Sequence, residues 1–500
     1  MPHEQLAEIA AVAGGLGAAA VLLARSRLPL VAGFALLAVA EGGLLAARVP
    51  REDLDRLTSP LALAALAAAL VVGVALAAAF VRRPDVVPVA VLVAAPFRLP
   101  VDLGAQHAFL LLPLYGVLAA AVLALLYRAT QSNVPEIRPR LAIAAAAFVG
   151  LSALSLSWSL DPKQGTIELL FFLFPAAALV AVVARSPLAP WLTRALAVAL
   201  VALASFFALV GLWQEATHRV FFARDLEVAN AYTTYFRVTS LFKDPSLFGR
   251  HLVLAIAVLL VALWLGRVHV AVVAVCSALL FAGLWFSYSQ SSMATLFVVA
   301  VAITLTLADR SARIAVAVAC VVLALVSAVV VTATAESNPL RKVTSGRSHL
   351  AEITLPVIRN HPVAGAGVGA QPLASREEAD TETRTSRNAS HTTPLTVAAE
   401  LGVLGLLAYL ALLAAGARLV VETIARERAL GLGLAAVLLA LLLHSLVYAG
   451  FFEDPIAWGA VALAAAAVSA PVATGGSSTA DALQETRDGG RAKRAIRAVR

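Results

Sequence analysis

Three stretches of this chain hold residue types able to handle a proton or an anion. His391 stands in SRNASHTTPLTVAAELGVLGLL, directly before an apolar run. An imidazole at a membrane surface takes up a proton near neutral pH, which suits a general base acting on a hydroxyl; an ordinary polar surface residue is the plain alternative. Arg347 follows Gly346 at the head of HLAEITLPVIRN, where Leu350, Ile353, Thr354 and Val357 recur at helical spacing. That pattern predicts a short amphipathic helix on the outer membrane surface, limited or kinked by Pro356. A phosphate at its start would meet a guanidinium and free backbone N–H groups together, whereas an Arg that only snorkels to headgroups needs no ligand. Arg237 and Lys243 lie in RVTSLFKDPSLFGRHL, where Asp244 and Pro245 read as the cap and first residue of a helix.

Other motifs carry less. In HPVAGAGVGA, Gly365, Gly367 and Ala370 formally satisfy a dinucleotide fingerprint, but that pattern has meaning only inside a βαβ unit, and this chain offers no parallel sheet. A tight turn that brings backbone close to a ligand or a helix is the better reading. Asp53 and Asp55 invite a metal reading, yet Arg51, Glu52 and Arg56 around them describe a balanced surface turn. Asn388 begins a formal glycosylation sequon of the kind that arises by chance. Cys276 and Cys320 both fall in apolar runs, so neither a disulfide framework nor a thiolate metal site is expected. Charges within or beside apolar runs are costly, which singles out Glu41 and His444 in run interiors and Arg250, Glu168 and Glu400 near run ends.

The elements that must position these residues follow from composition. Of 500 residues, 61% are apolar and only 14% charged, far below the ~25% charge of soluble proteins. A helix crosses a ~30 Å hydrocarbon core with ~20 apolar residues, and such runs fall near 7–25, 28–48, 59–81, 84–100, 105–127, 141–158, 165–184, 191–214, 246–266, 268–286, 291–308, 313–334, 394–417, 429–449 and 455–473. The expectation is an all-α polytopic membrane bundle of about 15 spans, and 12–15 if marginal runs fall short. The run at 84–100, punctuated by Pro84, Pro88, Pro96 and Pro100, is the one that could be re-entrant. Solid Ala, Leu and Val runs exclude an outer-membrane barrel. No cleavable signal is expected, because the start carries Glu4 and Glu8 instead of a basic region.

The net charge of +8 is distributed by loop, not gathered into a patch, and no nucleic-acid partner is expected. Arg25, Arg27, Arg82, Arg83, Arg128, Arg138, Arg140, Arg185, Arg267, Arg310, Arg313, Arg418, Arg426 and Arg428 fall on alternate loops. The positive-inside rule therefore puts the N-terminus outside and the C-terminus in the cytoplasm. Two outside loops, about 215–245 and 335–393, break the rule by carrying many cations. They are either solvated surfaces balanced by Glu377, Glu378, Asp380 and Glu382, or binding sites for an anionic headgroup such as a lipid diphosphate. The domains read as 1–214, N-terminal membrane helices; 215–473, a core with the large outer loop 335–393; and 474–500, a disordered basic tail.

In sequence order, GRSHLAEITLPVIRNHPVAGAGVG, the ASHTTPLTVAAELGVLGLLAYL that follows, and the upstream RVTSLFKDPSLFG together resemble the O-antigen ligase and polymerase superfamily over about residues 230–410. That family has a Gly-Arg, an interfacial helix, a His-Pro-x-x-Gly-x-Gly turn and a catalytic His before a span that starts Glu-x-Gly. The resemblance implies metal-independent transfer of a glycan, without a cofactor, from an undecaprenyl-diphosphate donor to a hydroxyl of a lipid, glycan or protein-linked acceptor, on the outer face of the cytoplasmic membrane. By position it makes His391 the general base and Arg347 a diphosphate ligand, with Arg237 and Lys243 beside it and Gly365, Gly367 and Glu400 in support. Three positions depart: Ser292 stands where the family has an Arg, Thr392 where it has Asn, and Ser246 where it has Asn after Pro. These leave ligase against polymerase open. Two other readings stand beside this one: a membrane glycosyltransferase that uses a polyprenyl-phosphate sugar with an outer-face acid, and a transporter or flippase of a lipid-linked saccharide.

Overall fold

The computed structural model describes residues 3–48, 59–103, 106–334, 347–378, 390, 392–448 and 453–470. The described chain is helical apart from one hairpin. In order it comprises α1 (His3–Leu23), α2 (Arg27–Arg48), α3 (Pro60–Arg82), α4 (Val87–Ala94), β1 (Leu99–Leu103), β2 (Gln106–Leu110), α5 (Leu112–Gln131), α6 (Pro139–Leu154), α7 (Pro162–Glu168), α8 (Phe174–Val183), α9 (Leu192–Thr217), α10 (Arg224–Ala231), α11 (Pro245–Trp264), α12 (Val270–Ser287), α13 (Gln290–Leu307), α14 (Arg310–Thr334), α15 (Arg347–Asn360), α16 (Gln371–Glu378), α17 (Thr393–Arg426), α18 (Arg428–Ser445) and α19 (Pro455–Ser469). A π-helical turn, Leu169–Leu173, joins α7 to α8.

Among the described residues, twelve helical segments are long and apolar enough to cross a membrane. Such helices satisfy their backbone groups internally, the condition for lying in hydrocarbon. The run expected at 84–100 folds differently: a helical stretch Pro84–Ala94 ends, and the chain turns into β1. At 1.5 Å per residue that stretch spans only about half of a hydrocarbon core. Pro96 and Pro100, which lack an N–H, make the helix stop there. Leu99 pairs with Leu110 and Asp102 with His107 in the antiparallel hairpin, so the next helix starts at Leu112 instead of near 105.

Two arginines fasten helix ends at one end of the bundle. Arg185 is buried and donates to Val21 O at 3.0 Å and Ala24 O at 3.1 Å, the carbonyls left open where α1 ends, and to Pro135 O at 2.9 Å. Burial lowers its pKa to about 10, so it stays cationic at neutral pH, as a guanidinium at a helix C-terminus should. Arg138 donates likewise to Val468 O near the end of α19. At the opposite end lie the β-hairpin and the α6–α7, α9–α11, α12–α13 and α18–α19 connections, joined by contacts such as Arg98 to Glu453 O and Arg250 to Asp454. Every candidate residue that the structure describes belongs to this end.

Candidate functional site

The centre of this end is a helix broken on purpose by glycine. α17 runs from Thr393 to Arg426, but Gly402 has φ 62 and ψ −160, outside helical space. A break inside a membrane helix strands carbonyls and amides that must find partners. The glycine-rich turn after α15 supplies them. Ala366 N donates to Ala399 O and Gly367 N to Glu400 O, both at 2.8 Å, while Val403 N donates to Pro362 O at 2.9 Å. The turn's other edge faces the α6–α7 connection, where Leu160 N donates to Ala366 O at 3.0 Å, Val368 N to Ser155 Oγ at 3.0 Å and Ser159 Oγ to Val368 O at 2.9 Å.

Gly365 and Gly367, expected to form a tight turn, do so for two measurable reasons. Their φ values are +72 and +95, a region side chains disfavour. A Cβ on Gly365 would also lie 2.2 Å from the Glu400 carbonyl, and one on Gly367 2.2 Å from Ser159 Cα. The turn is therefore pressed between α17 and the α6–α7 connection, and on the α17 side the close approach is to a helix. α15 packs over it: Leu350, Ile353, Thr354 and Val357 are all buried, Val357 clustering with Ala366, Ala370, Ala374 and Ala399. The amphipathic face expected on the membrane surface thus packs largely against protein, and Pro356 lies within the helix without ending it. Periodicity gives the face; it does not say what covers it.

Polar side chains tie the layer together. The Glu400 carboxylate is buried and accepts from Gln371 N at 3.3 Å and from the Gly369 backbone N–H. Gln371 donates through Nε2 to Thr354 Oγ1 at 3.2 Å and Ser375 Oγ at 2.9 Å, and its Oε1 accepts from Ser390 N at 3.0 Å. Ser390 Oγ shares a 2.7 Å hydrogen bond with Thr396 Oγ1, and Thr392 Oγ1 donates to Leu446 O at 3.2 Å, just past α18. His391 lies outside the described residues, but the residue on each side of it is held, one by α16 and one by the end of α18. Arg347 is the first residue of α15.

Arg237 and Lys243 stand in the connection that leads into α11. Arg237 donates through Nε to Ser287 O at 3.3 Å, and Asn230 grips its backbone on both sides, accepting from Arg237 N and donating to Arg237 O, each at 3.0 Å. Lys243 is exposed beside Asp244, which caps α11 as expected by accepting from Ser246 N and Leu247 N ahead of Pro245. Facing this start is a seam of hydroxyls: Ser289 Oγ reaches Ser246 Oγ at 3.2 Å and Ser292 Oγ at 2.9 Å, and Ser292 Oγ lies 3.5 Å from His444 Nε2. Ser292 is completely buried against Gly249, whose Cβ would come within 2.7 Å of its hydroxyl. A guanidinium would not fit there without moving α11, so the departure at 292 is accommodated by packing.

Three features escaped the sequence reading. Arg250 Nη2 pairs with Asp454 Oδ2 at 2.9 Å, both side chains buried, locking α11 to the start of α19. Arg250 reads in the sequence as a charge near a run end, but nothing there points across some two hundred residues to Asp454. Tyr448 is the second: burial pushes its phenol up, Asp244 adds to this and Arg250 opposes it, so the hydroxyl stays protonated beside these charges. Gln371 gave no signal either, since a lone glutamine fits no spacing rule. Below the site an apolar cleft lined by Leu92, Leu196, Leu200, Val258, Leu434 and Ile456 runs between helices. Asp53, Asp55 and Asn388 lie outside the described residues.

Residues 252–410 match the family model described as O-antigen ligase. The match runs from the first turns of α11 through the serine seam and the glycine turn to beyond the break in α17. No curated protein matches the chain.

Proposed function

We propose, from the match of residues 252–410 to the O-antigen ligase family model, that this membrane protein transfers a glycan from an undecaprenyl-diphosphate donor to an acceptor hydroxyl. The reaction takes place on the outer face of a bacterial cytoplasmic membrane, with the N-terminus outside and the C-terminus inside. The catalytic part is assigned to residues 215–473, with 1–214 as supporting membrane helices and 474–500 as a cytoplasmic tail.

His391 takes the proton from the acceptor hydroxyl as its oxygen bonds to the anomeric carbon. The bond from that carbon to the diphosphate oxygen breaks, and the diphosphate leaves on its lipid with one more negative charge. Arg347 receives that charge, with Arg237 and Lys243 in support. A diphosphate so neutralised is already a good leaving group, which is why the scheme uses no metal. The broken helix and its glycine partner provide the fixed floor, and the apolar cleft suits a polyprenyl tail.

The observation that carries this reading is the family match, because it spans the glycine turn, the break in α17 and His391 in one continuous segment. The test is His391→Ala in purified protein. Positioned bases contribute ~10²–10⁴-fold, so transfer falls at least ~10²-fold while donor binding stays nearly normal, and the unmutated protein slows toward acid pH as the imidazole protonates. His361→Ala is the control: its Nε2 pairs with Glu378 Oε1 at 3.0 Å, at the end of α16 opposite Gln371. Near-normal transfer by His391→Ala refutes the mechanism.

A further inference from the structure

Gln371 is completely buried at the first position of α16, and the direction of each of its side-chain hydrogen bonds follows from its partners. Ser390 N–H only donates, so the amide oxygen must face it, at 3.0 Å. Thr354 gives its hydroxyl proton to Leu350 O at 2.7 Å, so at 3.2 Å it accepts from the Gln371 NH₂ group. The second amide proton goes to Ser375 Oγ at 2.9 Å. An amide turned end for end would set NH₂ against the Ser390 N–H and an oxygen against an oxygen with no proton to offer, so this orientation is the satisfied one. The chain of donors runs from Ser390 through Gln371 and Thr354 to Leu350, in the first turn of α15. Gln371 N adds the bond to Glu400 Oε1 at 3.3 Å, beside the break in α17.

We infer that Gln371 is a positioning residue for glycan transfer: it ties Ser390, the residue before His391, to α15, the helix that begins at Arg347. The inference rests on the roles proposed above for those two residues. Gln371 touches no reacting atom and acts through Ser390 N–H and Thr354 Oγ1. Its buried, fully directed hydrogen bonds suit that task, because reacting groups misplaced by ~1 Å lose ~10²-fold in rate. Leu at 371 keeps comparable volume and loses every side-chain bond. Thr354→Val removes one link at nearly constant shape.

The experiment uses the full chain in proteoliposomes with a polyprenyl-diphosphate glycan as donor and a hydroxyl acceptor. Gln371→Leu lowers kcat by ~10–100-fold with donor KM nearly unchanged. Thr354→Val lowers it less, and the double variant is no slower than Gln371→Leu, because both act along one chain of bonds. Independently of activity, hydrogen exchange at the Ser390 amide speeds up in Gln371→Leu while exchange within α18 does not change. Thr354→Val carries the kinetic test if Gln371→Leu fails to fold. A kcat per folded molecule that is unchanged in both variants, or additive losses in the double variant, overturns the inference. So does unchanged exchange at Ser390. If instead His391→Ala transfers normally, the role given to His391 falls, and the exchange measurement still decides whether Gln371 holds Ser390.

Discussion

At the scale of single residues, charge placement separates side chains that support the bundle from those proposed to meet substrate. Arg185 and Arg138 spend their guanidinium groups on carbonyls at helix ends, and Arg250 on Asp454. Removing one partner of a buried ion pair strands the other charge at a cost of ~3–5 kcal/mol. Asp454→Asn should therefore lower thermal stability in detergent sharply, and a melting temperature equal to that of the unmutated protein would show that Arg250 has another anchor. Arg347 is assigned the opposite role. Arg347→Lys should raise the apparent donor KM more than Arg376→Lys, since a bidentate guanidinium fits phosphate oxygens in a way an ammonium does not. Arg376 instead is exposed, its Nε bonded to Pro372 O in its own helix. Equal effects would leave Arg347 an interfacial anchor. Cations and His391 could be singled out as candidates because their chemistry is written in residue type. Gln371, Asp454 and the hydroxyls around Ser292 were not, because a neutral or distant partner acquires meaning only when the fold brings it close.

At the scale of elements, the glycine turn and the break in α17 form one unit, each supplying the backbone groups the other lacks. Gly402 occupies backbone space that other residues enter only at ~1–3 kcal/mol, and its Cβ would lie 2.3 Å from Val363 O. Gly402→Ala should lower stability and transfer together, whereas Gly73→Ala in α3, where nothing lies within 4 Å, should leave both intact. A Gly402→Ala protein as stable and active as its parent would mean that the break is incidental. Much of this level could be read from sequence. The start of α11 followed from Asp244 and Pro245, and the tight turn from the spacing of Gly365 and Gly367. The break itself could not, since Gly402 sits in a run long enough to span and reads there as an ordinary small residue of a packed membrane helix. Pro96 and Pro100 mark the run at 84–100 as one that could be re-entrant, but the hairpin that follows depends on the pairing of 99–103 with 106–110, which apolar content does not reveal.

At the scale of the molecule, the proposed orientation puts all the candidate residues outside and the helix-capping arginines inside. Glu377→Cys, at an exposed position of α16, should react with a membrane-impermeant thiol reagent in intact spheroplasts; labelling only after lysis would invert the topology. Ser375, although in the same loop, is buried against Gln371 and would report poorly. Membrane class was plain from composition, because 61% apolar residues admit no other compartment for so long a chain. Which reaction the bundle performs is a question about bonds made and broken. The most direct measurement supplies proteoliposomes holding the purified protein with labelled polyprenyl-diphosphate glycan and a hydroxyl acceptor, and follows both products. The account predicts a covalent glycan–acceptor product and released polyprenyl diphosphate in equal amounts, both lost in His391→Ala; movement of the intact lipid-linked saccharide across the bilayer with no covalent product would contradict it.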